Sequence, residues 1–362
     1  MIDALRSFVS PLKKYTLMAK TAFITGISGQ DGAYLAKLLL EKGYRVVGAT
    51  RRTASINTLR LQYLGVEKDV ELIDFDLLEF TNILRVIEQT APDEIYNLAA
   101  QSFVGTSFEQ PLLTGNVNAL GVTRILEAIR TFGISSCRFY QASTSELFGK
   151  VQTVPQNEET SFHPRSPYGV AKLYSHWITV NYRESFGLHC SSGILFNHES
   201  PLRGVDFVTR KITLGLANIQ AGNQEFLELG NLDAQRDWGF AGNYVEAMWL
   251  MLQQAIPYDY VIATGKTHSI RKLIELAAPL YGMEIEWSGE GVDTVGTDRK
   301  TGKAIIKINP KYFRPAEVDL LVGDSSKAKE KLGWISKTSF AELVEVMAAA
   351  DQKRVGDGQV NF

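Results

Sequence analysis

The stretch Thr21-Ala-Phe-Ile-Thr-Gly-Ile-Ser-Gly-Gln-Asp-Gly32 decides the fold. Thr21 to Gly26 reads as a short apolar strand. Gly26, Gly29 and Gly32 follow at three-residue intervals, and an apolar run of helical period extends from Asp31 to Lys42. Glycines at this spacing between a strand and a helix permit a tight turn and let backbone N–H groups approach a pyrophosphate at the helix N-terminus. Three glycines alone mark only a turn. The strand before and the helix after make them a dinucleotide-site motif.

Working outward, a second strand from Arg45 to Ala49 ends in Thr50, Arg51 and Arg52. An NAD-selective site places an acid here for the ribose 2′-hydroxyl, whereas arginine suits a 2′-phosphate, so NADP is favoured over NAD. Two solvated arginines at a strand end are the bland alternative. Strand-like runs recur at Val70–Phe75, Glu94–Leu98, Cys137–Gln141 and His189–Phe196 with helical patterns between them. This alternation predicts an α/β fold, a Rossmann-type doubly wound parallel sheet covered on both faces. Asp76 and the run Leu98 to Ser102 then fall beyond carboxyl ends of strands, where such sheets bind ligands.

Ser143, Thr144, Ser145 and Glu146 follow the fifth strand, and Tyr168 and Lys172 sit four residues apart in a predicted helix over 166–187. That spacing puts phenol and ammonium on one face. The cation is expected to lower the phenol's pKa and fit it for proton exchange with a substrate hydroxyl. By itself the pair reads more readily as a solvated face, and Glu146 has the bland reading of a capping or surface carboxylate.

Past Phe196 the pattern loosens into a smaller, mixed α/β C-terminal lobe. Asn197–Gly204, Gly230–Trp238 and Asn309–Asp319 read as substrate loops, and Ser288–Gly302 as a flexible insertion. Helical patterns fall at 206–221, 242–254, 269–281, 325–332 and 338–354. Arg203, Arg236 and Arg314, each in a separate loop, would suit a diphosphate. The expected organisation is a loose extension over 1–17, a Rossmann domain over 18–196 with a return at 237–265, a substrate lobe over 197–236 and 266–354, and a tail over 355–362.

Among 362 residues the formal charge is −2, which gives no basic field for nucleic acid. The two cysteines, Cys137 and Cys190, fit neither a disulfide framework nor a metal site and suit a reducing cytoplasm. No run of about 20 apolar residues suggests a membrane span.

The glycine turn, Asn97-Leu-Ala-Ala-Gln-Ser102, Ser143-Thr-Ser-Glu146, Pro164-Arg-Ser-Pro-Tyr-Gly-Val-Ala-Lys172, Phe196-Asn-His-Glu-Ser200, Arg236-Asp-Trp238 and Arg314-Pro-Ala-Glu-Val-Asp319 together resemble the extended short-chain dehydrogenase/reductase family of nucleotide-sugar enzymes, and within it the GDP-mannose 4,6-dehydratases. The likeness runs from Ala22 to Trp334. It implies that Gly26, Ser28, Gly29, Gln30, Asp31 and Gly32 hold the pyrophosphate of NADP and that Arg51 meets its 2′-phosphate. It further implies that Asp76, Leu77, Leu98, Ala99, Ala100, Gln101 and Ser102 line the adenine and nicotinamide ribose sides, that Tyr168 and Lys172 serve both cofactor and catalysis, and that His198 and Arg203 close the cofactor site. Ser145, Glu146, Asn197, Arg236, Arg314 and Glu317 would face GDP-mannose. Relatives form homodimers or homotetramers. The extension before Met18 departs from the family pattern, and Leu113 stands where some members place a tyrosine.

The implied chemistry is internally consistent. Oxidising a sugar C4 hydroxyl needs a base, Tyr168 tuned by Lys172, and a hydride acceptor. The C4 ketone acidifies the C5 hydrogen, which Glu146 can remove, and the C6 hydroxyl leaves as water with help from Glu146 and Thr144. A 4-epimerase or reductase needs no such carboxylate. A dehydratase for another GDP-sugar, such as a GDP-heptose, an epimerase or reductase, and a non-catalytic NADP(H) sensor remain the alternatives.

Overall fold

The computed structural model describes residues 19–134, 136–312 and 320–358. Its largest sheet is built from β1 (Thr21–Thr25), β2 (Arg45–Thr50), β3 (Glu71–Asp74), β4 (Glu94–Asn97), β5 (Arg138–Thr144) and β6 (His189–Leu195). Further along lie β7 (Asn197–Glu199), β8 (Leu227–Leu229), β9 (Gln235–Phe240) and β10 (Tyr260–Ile262). The seven-stranded sheet runs β10-β6-β5-β4-β1-β2-β3, every neighbour parallel. The strand order reverses between β1 and β4, and a ligand crevice opens at that switch point beyond the carboxyl ends of the strands.

Helices cover both faces because the strands are apolar on both. Helix α1 (Gln30–Glu41) follows the glycine turn, and α2 (Leu59–Tyr63), α3 (Phe80–Thr90), α4 (Val104–Glu109), α5 (Pro111–Gly115), α6 (Gly121–Thr131) and α7 (Pro167–Phe186) come in order. After β6 come α8 (Val208–Gln220) and α9 (Ala241–Gln253). One core layer joins Leu35 and Leu39 of α1 to Met248 and Met251 of α9 and to Trp334. The other joins Ile83 and Ile87 of α3, Ile125 and Ile129 of α6, and Phe139 of β5.

The smaller lobe contains β11 (Thr267–Ser269), α10 (Ile270–Ala277), β12 (Ile285–Ser288), β13 (Val295–Asp298), β14 (Lys303–Ile308), β15 (Leu320–Leu321), α11 (Ser326–Leu332) and α12 (Phe340–Gly356). Strands β12-β13-β14-β8 form one sheet, and β11-β9-β15 another that β7 joins through β9. The stretch Ser288–Gly302, expected to be a flexible insertion, is instead an ordered part of the first of these: Trp287 pairs with Gly296, and Gly296 with Ile306. Its polar residues alternate with packed ones, the period of a half-buried strand, which the glycines obscured. Two of the expected loops are also partly strand, since Asn197–Glu199 pairs with Trp238–Phe240. Arg236 accordingly projects from a strand.

Candidate active site

One cavity of about 880 Å³ lies at the switch point and continues into the smaller lobe. Every residue expected to hold cofactor, to bind substrate or to act in catalysis lines it, except Arg314 and Glu317, which lie outside the described residues. The expected extension over 1–17 lies outside them too.

The glycine turn is shaped for close approach. Gly26 has φ +72, and a Cβ there would meet Ala99 N at 2.9 Å; one on Gly32 would meet Gly26 O at 2.4 Å. Gly29 is the N-cap of α1 with no side chain to cap it, so the first-turn N–H groups remain available to an anion. Arg51 lies just past β2 at the cavity wall, exposed to solvent. These features fit a dinucleotide with a phosphate near Arg51.

The side chains of Gln30 and Asp31 do something sequence reasoning missed. Gln30 Nε2 donates to the carbonyl of His198 at 3.1 Å, and Ser200 Oγ donates to Gln30 Oε1 at 2.6 Å. His198 contacts Asp31 Oδ2 through Nε2 and the carbonyl of Phe196 through Nδ1, both at 2.8 Å, and stacks on Tyr244. Burial alone would lower the His198 pKa, but the Asp31 carboxylate prevails and raises it. Burial likewise works to raise Asp31, yet His198 holds it below the usual carboxylate range. Both ring nitrogens therefore donate, and the pair is an imidazolium with a carboxylate. Arg60 completes this lacing, with Nε donating to Leu202 O at 2.8 Å and Nη1 to Ser28 O at 3.1 Å.

Catalytic candidates converge from two elements. Thr144 ends β5 and its hydroxyl accepts from Glu146 N at 3.2 Å. Helix α7 starts after Ser166, whose Oγ accepts from Gly169 N at 3.0 Å, with Pro167 in the first turn. Tyr168 in the first turn and Lys172 one turn further on are both buried. The expected lowering of the phenol is not found. Burial pushes Tyr168 up to about 12, opposed by a hydrogen bond from Thr144. The physical reason is where the ammonium points: Lys172 Nζ donates to Ala142 O at 2.8 Å and stands 5.9 Å from the centre of the tyrosine ring, and burial lowers its own pKa to about 8.

Two further residues were missed. Asn118, in a π-helical turn over 116–120, clamps the Gln101 backbone, accepting from its N–H and donating to its C=O, both at 2.8 Å. Lys211 of α8 lines the cavity with its Nζ 3.8 Å from the Tyr312 ring centre. The signal for Lys211 was the pair of cations, Arg210 and Lys211, within the otherwise uncharged run of α8; Asn118 left none, because a π-turn has no side-chain period to read.

A parallel sheet with a glycine turn at its switch point, and a Tyr-x-x-x-Lys helix beside a Thr-x-Glu, define an enzyme of the extended short-chain dehydrogenase/reductase class. Solved structures of that class share the fold. An RMD protein from Pseudomonas aeruginosa complexed with NADPH matches with TM-score 0.73 at 24% identity over 93% of this chain and 99% of that one. A dTDP-glucose 4,6-dehydratase from Bacillus anthracis in complex with NAD matches with TM-score 0.76 at 19% identity over 93% and 98%. The family model for GDP-mannose 4,6 dehydratase matches residues 23–347. A GDP-mannose 4,6-dehydratase of Sinorhizobium fredii is 56% identical over 92% of this chain and 96% of its own length, and the Homo sapiens enzyme 52% over 91% of each. The chain belongs to the GDP-mannose 4,6-dehydratase family.

Among the described residues no helix is long and apolar enough to cross a membrane, and no cluster of His, Cys, Asp and Glu could hold a metal ion.

Proposed function

We propose that the protein converts GDP-D-mannose to GDP-4-dehydro-6-deoxy-D-mannose and water, an NADP-dependent hydro-lyase reaction that begins the route to GDP-deoxysugars. The observation that carries this is Glu146 on the same cavity wall as Thr144, Tyr168 and Lys172. An epimerase or reductase of this fold needs only the last two.

NADP would be held by the turn Gly26–Gly32, Arg51, Asp76 and the 98–102 segment, and when bound it would supply the hydride acceptor for C4 and the donor for C6. The protein's own residues do the proton work. Tyr168, resting as a neutral phenol at about 12, takes the C4 hydroxyl proton only with positive charge nearby, and Lys172 and Arg203 are its cationic neighbours. Thr144 donates to the phenol oxygen, which favours the ionised form. Glu146 would then remove the proton from C5 and return one to the departing C6 hydroxyl. Asn197, Arg236 and Lys211 line the same cavity and would suit a GDP diphosphate.

Self-association into a dimer or tetramer is part of the proposal. Helix α7 faces outward with Val170 at 56%, Tyr174 at 42% and Trp177 at 54% exposure, an uncharged stripe at helical spacing that suits a second copy of the same helix. Incubating the protein with GDP-mannose, a GDP-heptose and UDP-glucose in turn tests the reading. Turnover of GDP-mannose alone supports it, and turnover of either of the others in its place contradicts it.

A further inference from the structure

Arg210 of α8 and Asp351 of α12 form an ion pair, Nε to Oδ1 at 2.7 Å, with both side chains wholly buried. Neither lines the cavity, and the chemistry above uses neither. A buried ion pair is weak as a stabilising device, because desolvating two charges offsets much of their attraction. What distinguishes this one is the other edge of the guanidinium: Arg210 Nη1 donates to Pro201 O at 3.1 Å and to Arg203 O at 2.9 Å. Leu202 O between them is taken by Arg60. Three successive carbonyls are therefore each held by a guanidinium, in the turn that carries Arg203 to the cavity wall.

Asp351 is itself fixed from two sides. Thr213 Oγ1 donates to its Oδ2 at 2.7 Å and Arg354 Nη1 to its Oδ1 at 2.8 Å. Arg60, Arg203, Arg210 and Arg354 lie close enough together to repel one another, as the lowering of Arg60 by the other three shows after burial is counted. Asp351 and Glu199 are buried counter-charges within reach, the latter 3.0 Å from Arg203 Nε.

We propose that Asp351 and Arg210 are positioning residues: the C-terminal helix, through this pair, fixes the Pro201–Arg203 turn and so sets where Arg203 meets the cofactor. The inference rests on the NADP reading above. It gives α12, which the catalytic chemistry leaves idle, a part in cofactor binding. Neutralising Asp351 leaves the guanidinium of Arg210 without its carboxylate partner among like charges, and the turn it holds shifts with it.

The test uses the full chain, with NADPH titrated by fluorescence, GDP titrated by calorimetry, and folding followed by circular dichroism. Asp351→Asn should weaken NADPH about tenfold, the scale of a lost charged hydrogen bond, while GDP affinity stays within about twofold of wild type. Thr213→Val, which removes one donor to Asp351 and leaves the charges in place, should weaken NADPH by about threefold and decides the matter if Asp351→Asn does not fold. NADPH affinity equal to wild type in the folded variants, or equal losses for NADPH and GDP, overturns the positioning role. Wild-type protein that fails to bind NADPH overturns the cofactor reading first, and this inference with it.

Discussion

His198 Nε2 lies 2.8 Å from Asp31 Oδ2, a contact across 167 positions of sequence that ties the first turn of α1 to β7. It sets a carboxylate beside the helix N-terminus that should receive a pyrophosphate, and neutralises that carboxylate with an imidazolium. Without the cation, Asp31 would repel the very anion the helix N-terminus attracts.

The pair makes stability depend on pH in a definite direction. His198 is raised in the folded protein, so its contribution is complete below its unfolded pKa of about 6.5 and is lost as pH climbs through the higher folded value. Asp31 is lowered, so its share is present above about 3.9 and is lost as pH falls through its depressed folded pKa. The difference in Tm between wild type and His198→Gln should therefore be largest from about pH 4 to 6.5 and shrink toward pH 9. A difference that grows with pH would contradict the imidazolium assignment.

Glu146→Gln keeps the size of the side chain and removes its basicity. NADP and GDP-mannose affinities should remain within about twofold, while kcat falls by about 10²- to 10⁴-fold, as expected for loss of a general acid–base group. Binding calorimetry beside a turnover assay separates the two effects. Near-wild-type kcat would remove Glu146 from the proton step.

Lys172→Met takes away the ammonium that stands 5.9 Å from the ring of a phenol already pushed up to about 12. The acid limb of the kcat profile should move to higher pH, and kcat at pH 7 should fall by about 10²-fold. A profile that keeps its position would mean that Lys172 only braces the Ala142 carbonyl.

Arg51→Asp replaces the cation at the end of β2 with the acid that suits a ribose diol. NADP affinity should fall by at least about tenfold while NAD affinity holds or improves. Parallel titrations with both cofactors check this, and an unchanged preference would place the 2′-phosphate contact elsewhere.

Trp177→Glu puts a charge into the exposed stripe of α7 without touching its catalytic face. The variant should sediment as a smaller species than wild type, and identical sedimentation would move self-association to another surface.

Much of the architecture was legible because it is written in local period. The strand, glycine turn and helix over Thr21–Lys42, and the spacing of Tyr168 and Lys172, appear in the structure with bounds shifted by a residue or so. What escaped reading depends on contacts distant in sequence. Strands of three or four residues such as Leu227–Leu229 and Val295–Asp298 are too short to show alternation and exist through their partners. The lacing of Gln30, Asp31 and Arg60 to residues 198–202 joins positions more than 100 apart, which no spacing rule reaches. The phenol's pKa was misjudged for a related reason: helical spacing brings Lys172 alongside Tyr168, but burial and the Ala142 carbonyl decide where its charge acts.

The most direct test of the central claim is to incubate the protein with GDP-mannose and NADP⁺ in D₂O and to follow the sugar by NMR and the cofactor by absorbance. A 4-keto-6-deoxy product carrying deuterium at C5, formed with no net NADPH, is the predicted result. Net NADPH accumulation, an epimerised hexose that keeps its C6 hydroxyl, or an unchanged sugar with NADP⁺ shown to be bound would contradict it.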